Sequence, residues 1–465
     1  MTPARRTLRT YVVLVVVPLL GLAAILRAGG GGGGDGAPTA FAGPAQQGPA
    51  PTSLALLLVQ VITIVVAARL AGALLHRVGQ PRVVGEMLAG VALGPSLLGS
   101  LAPAVSTWLF PASSLGSLGT LSQLGLLFFM FLIGLELDTA ALRANGRAAV
   151  IISHASITVP FLLGGTLAVW LYPRYAEGHA PFRAFALYLG AAMSVTAFPV
   201  LARILSERGL VRTRLGSMAI ACAAVDDVTA WLLLAVVVVI ARAEHALGGV
   251  AVTVVSTLAY VGMVLWLGRP ALRWLSQRLV GGGRITPGGL SAVVVVLLGS
   301  AAVTEVLGVH ALFGAFLAGA AMPRDARLLE ALQGRFEDVI LVLLLPLFFA
   351  LTGLRTDIRL LGESRDLVAL GLVLAAAVAG KFGGCTIAAR LVGMPLREAA
   401  ALGALLNTRG LMELVILNIG LELGVITPAV FAMMVVMTLV TTLMTTPLVS
   451  RLLRPAVAPA TVAPG

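Results

Sequence analysis

The chain of 465 residues has little charge and almost no lysine. Only 11% of its residues are Asp, Glu, Lys or Arg, against about a quarter in soluble domains. With 59% hydrophobic residues and a mean hydropathy of +1.01, a soluble globular protein is excluded. Cysteine is limited to Cys222 and Cys385, each inside an apolar run, which excludes a disulfide framework or a cysteine-bound metal cluster. Walker loops, dinucleotide fingerprints, zinc motifs and catalytic-triad spacings are all missing, so no cofactor and no enzymatic chemistry is expected. Lysine is the sharpest scarcity: of 32 basic residues every one is arginine except Lys381, which falls in the middle of an apolar run.

The net charge of +12 would suggest a nucleic-acid partner in a soluble chain. Here the arginines recur singly in short gaps between apolar runs, the pattern that orients helices in a bilayer, so the partner is lipid and not nucleic acid. About fourteen runs approach the length needed to span roughly 30 Å of hydrocarbon. The first, residues 11–26, follows Arg5, Arg6 and Arg9 and reads either as a signal anchor or as a cleavable signal peptide. A Gly, Pro and Ala stretch at 29–51 cannot bury enough surface to order itself. Residues 1–52 are therefore leader and linker, 53–454 the transmembrane domain, and 455–465 a short tail. The other thirteen runs lie at 53–75, 83–98, 118–135, 148–171, 182–205, 215–240, 250–267, 287–307, 310–322, 336–354, 367–391, 398–423 and 426–448. Arginine is concentrated in alternate gaps, the gap with Arg355, Arg359 and Arg365 excepted, and this bias places both termini in the cytoplasm. The expected fold is all-α, with 13–14 transmembrane helices.

Two segments echo each other across the halves. Leu88-Ala-Gly-Val-Ala-Leu-Gly-Pro95 resembles Leu317-Ala-Gly-Ala-Ala-Met-Pro323, and Leu127-Phe-Phe-Met-Phe-Leu-Ile-Gly-Leu-Glu-Leu-Asp138 resembles Leu347-Phe-Phe-Ala-Leu-Thr-Gly-Leu-Arg-Thr-Asp357. The paired segments lie an odd number of crossings apart, so the second copy is upside down relative to the first. Inverted repeats of this kind are a signature of secondary transporters.

Asp226 and Asp227 sit near the centre of the 215–240 run. A carboxylate there costs about 2.5–3.5 kcal/mol unless a proton or a partner neutralises it. Neighbours on a helix point about 100° apart, so the two acids face different surroundings and can take different roles. Like charges this close favour protonation of one of them, and a carboxylate that takes either a proton or a metal cation, but not both, is the minimal chemistry of an antiporter. Lys381, too deep in its run to reach a headgroup, needs a buried anion, for which Asp226 or Asp227 is the candidate. A purely structural ion pair is the alternative.

The 182–205 run is interrupted by Thr196-Ala-Phe-Pro199, where Pro199 removes a backbone donor and would free the carbonyl of Val195. The matching helix of the second half carries Asn407-Thr408-Arg409-Gly410. Corresponding interruptions in two halves point to a binding site, with freed carbonyls and the hydroxyls of Ser194 or Thr196 as hard oxygen ligands for Na+ or K+. Arg409 and Glu413, four residues apart, can neutralise each other, a structural role being the simpler reading. Glu86 and Glu305 suit ion entry or plain interfacial solvation equally, Glu136 and Asp138 close a helix beside arginines, and His310 reads as a packing or capping residue.

These residues resemble the monovalent cation:proton antiporter-2 family, which includes Kef-type and plant-type cation/proton exchangers. The resemblance runs from Ser53 to Arg454 and rests on Pro81-Arg-Val-Val-Gly-Glu86, Gly94-Pro95, Ser194-Val-Thr-Ala-Phe-Pro-Val-Leu-Ala-Arg203, Val225-Asp-Asp-Val-Thr-Ala-Trp231, Gly308-Val-His-Ala-Leu-Phe-Gly-Ala-Phe316, Gly380-Lys381 and Asn407-Thr-Arg-Gly-Leu-Met-Glu413. It implies two inverted six-helix repeats with broken crossing helices, a core domain that moves as an elevator against a dimerisation domain, and hence a homodimer. It further implies that Asp227 binds the transported cation, while Asp226 pairs with Lys381 until the cation displaces that bond. The Asp-Asp form with lysine implies electrogenic exchange of Na+ or K+ for H+ across the plasma membrane. Kef-type systems usually carry a C-terminal nucleotide-binding domain, and only a few residues follow Arg454 here. An intramembrane aspartyl protease would need its acids on separate helices, and a potassium efflux system or channel-like transporter without strict proton coupling is the other alternative.

Overall fold

The computed structural model describes residues 54–453 except 137–145, 177–179, 212, 243–246, 274–279, 282–283, 308 and 324, with a few positions between 17 and 25. Asp138, the linker at 29–51, most of the leader and the tail from 454 lie outside the described residues.

All thirteen runs from residue 53 onward become helix. The first half comprises α1 (Leu54–Arg77), α2 (Arg82–Leu93), α3 (Ala112–Glu136), α4 (Gly146–Tyr175), the split pair α5 (Phe182–Ser194) and α6 (Phe198–Glu207), and α7 (Arg214–Arg242). Helix α8 (Leu247–Met263) runs on through a π turn and leads to the second half. There follow α9 (Pro287–Val306), α10 (Ala311–Ala321), α11 (Ala326–Val339), α12 (Leu345–Leu354), α13 (Ser364–Val378), α14 (Gly384–Leu391), the split pair α15 (Leu396–Leu406) and α16 (Leu411–Glu422), and α17 (Pro428–Leu452). Strand structure among the described residues is one two-residue ladder, Val280–Gly281 against Arg284–Ile285, in a connection. Nine helices are long and apolar enough to cross a membrane, and α15 with α16, bent by 42° at the break, makes ten among the described residues.

Outward-facing apolar side chains replace the polar exterior of a soluble protein. On α1 the exposed Leu54, Leu58, Ile62, Val66, Leu70 and Leu74 recur every fourth residue and form one stripe that calls for an apolar surrounding, lipid or another apolar protein face. The opposite stripe, Gln60, Ile64, Ala68 and Gly72, is buried against the bundle.

The echoing segments meet each other through their glycines. A methyl group on Gly90 of α2 would lie 2.3 Å from the carbonyl oxygen of Phe349 on α12, and one on Gly353 of α12 would lie 1.9 Å from the backbone of Gly90. The inverted counterparts do the same: a methyl group on Gly134 of α3 would lie 2.2 Å from the Phe316 oxygen of α10, and one on Gly319 of α10 would lie 2.1 Å from the Phe131 oxygen of α3. Gly90 and Gly319 are matching positions of the repeat, as are Gly134 and Gly353. Each half therefore packs its first echoing helix on the second echoing helix of the other, as a two-fold axis lying in the membrane plane requires.

Around this scaffold the second group of helices, α4–α7 and α13–α17, packs together. The end of α4 is tied to the start of α13 by Arg174 to Glu363 (2.8 Å) and by Tyr175 to Asp366 (2.6 Å), with Glu363 and Asp366 forming a capping box. The two groups are joined where Arg355, after α12, reaches Asn418 (2.9 Å) and Glu422 (2.7 Å) on α16, and where Asn418 donates to Thr352 (2.9 Å).

Because the glycine contacts leave no room for a side chain, Gly90→Val or Gly134→Val is expected to lower the thermal unfolding temperature of the detergent-solubilised protein, since overpacking costs about 1–3 kcal/mol. Gly371→Val, at an outward position with no neighbouring atom within 4 Å, is the control and should leave it unchanged.

Candidate functional site: a buried ion pair at two crossing helix breaks

Helix α5 ends at Ser194, and extended backbone at Val195 leads to α6. The opening thus lies earlier than proline chemistry alone suggests. Pro199 falls in the first turn of α6, where its missing N–H has no partner to lose, and it starts the second half-helix instead of kinking a continuous one. The second break follows Leu406, and Gly410 adopts φ 159°, a conformation that residues with a Cβ rarely take. A Cβ there would also meet Val200 of α6 at 3.0 Å. The breaks cross and touch: the Ala197 N–H donates to the Thr408 carbonyl (3.0 Å).

Carbonyls freed at the C-terminal end of α5 carry the negative end of its dipole, and two buried cations meet them. Lys381 Nζ donates to the carbonyl of Ser194. Arg409 donates to those of Met193 (2.6 Å) and Ala192 (3.3 Å). Lys381 lies in a π turn, Ala379–Gly383, between α13 and α14, a local widening frequent at functional sites. Gly380 beside it lets the helix approach Pro160 of α4.

Asp226 on α7, fully buried, is the anion of the site. Its Oδ2 accepts from Lys381 Nζ (3.2 Å), Ser156 Oγ (2.7 Å) and Thr196 Oγ1 (2.6 Å), and its Oδ1 from Ser153 Oγ (2.5 Å). Lys381 completes its three bonds on Ser156 Oγ (3.4 Å). A charge pair with no exposed surface is thus satisfied at every donor of the ammonium. Thr196 also stands 3.2 Å from the carbonyl of Leu406, so it can turn from Asp226 to the second break.

The second half supports its break differently. Thr442 of α17 accepts from the Arg409 N–H (3.1 Å) and donates to the Arg409 carbonyl (2.7 Å), and Thr408 meets Thr445 at 3.3 Å. Arg409 pairs with Glu413 at 3.2 Å, both fully buried. Asn407 is buried, with its Nδ2 3.9 Å from Met444 Sδ and no hydrogen-bond partner for its Oδ1 among the described residues.

The structure therefore brings together Asp226, Lys381, Thr196, Thr408, Arg409 and Glu413 from the sequence-based list. Ser194 participates through its carbonyl alone, because its hydroxyl is turned to the carbonyls of Gly190 (2.7 Å) and Ile157 (2.9 Å). The backbones of Asp227 and Pro199 are helical, and their side chains lie outside the described residues. Glu86 is buried on α2, Glu305 accepts the Ala311 N–H (2.8 Å), and His310 caps α10. Sequence reasoning missed Ser153 and Ser156. Their signal is weak: two serines three residues apart in an apolar run, the second four residues before Pro160.

With this geometry in place, the relatives become informative. Residues 63–454 match the family described as sodium/hydrogen exchanger, transmembrane. The chain belongs to this exchanger family. It is 43% identical over 385 residues to the Na(+)/H(+) antiporter NhaS4 of Synechocystis, covering 83% of this chain and 94% of that one. Identity is 40% over 383 residues to the cation/H(+) antiporter 18 of Arabidopsis thaliana and 35% over 389 residues to the K(+)/H(+) antiporter 1 of Saccharomyces cerevisiae. The matched region spans 82% of this chain in both cases, but only 47% and 44% of those longer relatives. Among solved structures, the sodium proton antiporter MjNhaP1 from Methanocaldococcus jannaschii shares the fold, with TM-score 0.53 and 14% identity over 85% of this chain and 96% of that one. The expectation of an all-α, multi-pass membrane protein of the cation/proton exchanger kind is borne out.

Breaking a buried ion pair leaves an uncompensated charge and costs roughly 3–5 kcal/mol. Glu413→Gln in this exchanger should therefore sharply lower the unfolding temperature in detergent. An unchanged temperature would mean that the α5 carbonyls alone hold Arg409.

Proposed function

We propose that the chain is a secondary antiporter that exchanges Na+ or K+ for H+, with the ion pair of Asp226 and Lys381 as its coupling device. The observation that carries this reading is the position of the pair: fully buried, where two broken helices cross, with every ammonium bond made to a group that a cation can also use. Freed carbonyls, hydroxyls and carboxylates are the hard oxygens that Na+ and K+ prefer. Antiport by the relatives, named for Na+/H+ and for K+/H+ exchange, supports the same reading.

In the proposed cycle Lys381 holds Asp226 while no cation is bound. A cation arriving at the two neighbouring acids displaces the proton of Asp227, its principal carboxylate, and then Lys381, whose ammonium gives up a proton to the open side, so that two protons leave for one monovalent cation. Cation and proton thus take turns, and neither crosses without the other. The lysine suits the task because an ammonium deprived of water and of its anion releases a proton readily, whereas an arginine does not. Asp226 and Asp227 beside a lysine favour electrogenic exchange. Movement of α4–α7 and α13–α17 as a unit against the glycine-locked scaffold is the elevator step, and the scaffold's exposed stripe on α1 suits a homodimer. The proposed setting is the plasma membrane, with the C-terminus in the cytoplasm.

In everted vesicles Asp227→Asn is expected to abolish the cation-induced collapse of an imposed pH gradient. Persistent exchange would remove Asp227 from this role. Lys381→Ala is expected to change the charge moved per cycle more than cation affinity, read as current on a solid-supported membrane; unaltered electrogenicity would count against the pair as the coupling device.

A further inference from the structure

The Asp226 carboxylate accepts more bonds than the ion pair alone requires. Two of them come from α4, which carries no charged partner of the pair at this depth. Ser153 donates to Oδ1 (2.5 Å) and Ser156 to Oδ2 (2.7 Å), so the two hydroxyls, one helical turn apart on the same face, grip opposite oxygens of one carboxylate. His154, between them, turns its Nδ1 to the carbonyl of Val150 (2.8 Å). Both serines are fully buried. Ser156 also accepts from Lys381 (3.4 Å) and so touches both members of the pair.

We propose that Ser153 and Ser156 are positioning residues for the exchange reaction, a two-hydroxyl clamp that keeps Asp226 partnered during the part of the cycle in which Lys381 is away. This rests on the antiport reading above. Were Lys381 the sole support of Asp226, a cation displacing it would have to leave a bare carboxylate in a dry interior, a cost of several kcal/mol that would suppress cation binding. With the clamp and Thr196 in place, departure of the lysine removes one of four bonds. The clamp therefore lowers the cost of displacement and sets the cation concentration at which exchange is half saturated.

The experiment is a cation titration of exchange in proteoliposomes holding the full chain, with Na+ and K+ each as probe. Ser153→Ala and Ser156→Ala should each raise the half-saturating cation concentration, from about tenfold up to roughly a hundredfold for a full hydrogen bond to a charged group, with the maximal rate of the folded fraction retained. Ser153→Thr, which keeps the hydroxyl, should restore the parental value. A merely structural role would lower yield and maximal rate at an unchanged half-saturation point, and that result would overturn the clamp. The two readings fail differently. A parent that exchanges, an Asp227→Asn variant that does not, and serine variants with parental half-saturation remove the clamp and leave the antiporter. A parent without cation-driven proton movement removes both.

Discussion

A carboxylate and an ammonium placed where water does not reach must keep each other or find substitutes at once, and the architecture follows from that constraint. Asp226 and Lys381 have no exposed surface. Four helices converge to satisfy them: α7 brings the acid, the π turn after α13 the base, α4 two hydroxyls, and the end of α5 a carbonyl and Thr196. A continuous α5 would have no carbonyl to offer Lys381. The break is therefore part of the same electrostatic solution, and it places the negative end of a half-helix dipole against a cation.

The two halves solve the same problem with different chemistry. In each, the helix after the broken one closes the opening: α7 after the first break and α17 after the second. The first half uses the carboxylate of Asp226, whereas the second uses the neutral hydroxyl of Thr442 on the backbone of Arg409. One break carries a titratable charge pair, and the other is held by threonines and by the pair of Arg409 and Glu413. The inverted repeat supplies symmetry of backbone, and the side chains at equivalent places divide the labour.

Much of this was legible in the residues. Runs of about 20 apolar residues marked the helices, since nothing else can satisfy backbone groups in hydrocarbon. The echo of Leu88–Pro95 with Leu317–Pro323 announced the repeat, although its meaning, glycine backbones exchanged between halves, required the packing. Scarcity was the strongest pointer to chemistry: one lysine among arginines, opposite a central acid. The serines at 153 and 156 could not be read, because serine is tolerated widely in apolar helices and only the facing of α4 gives these two a role. Ser194 illustrates the reverse. Its hydroxyl looked like a ligand, yet a hydroxyl near a helix end takes the nearest carbonyls, Gly190 and Ile157, and leaves the residue's own carbonyl to do the work. Pro199 was a sound marker of the break but a poor guide to its position, because proline is as comfortable starting a half-helix as ending one.

The central claim is that a cation and a proton exclude each other at one buried pair. Its most direct test is proton release into weakly buffered solution when NaCl or KCl is added to the purified, detergent-solubilised protein, with choline chloride as control. The account requires that cation binding expel protons, and that fewer protons be released per bound cation when Lys381 is replaced by alanine. Saturable cation binding with no protons released from the parent protein would contradict it.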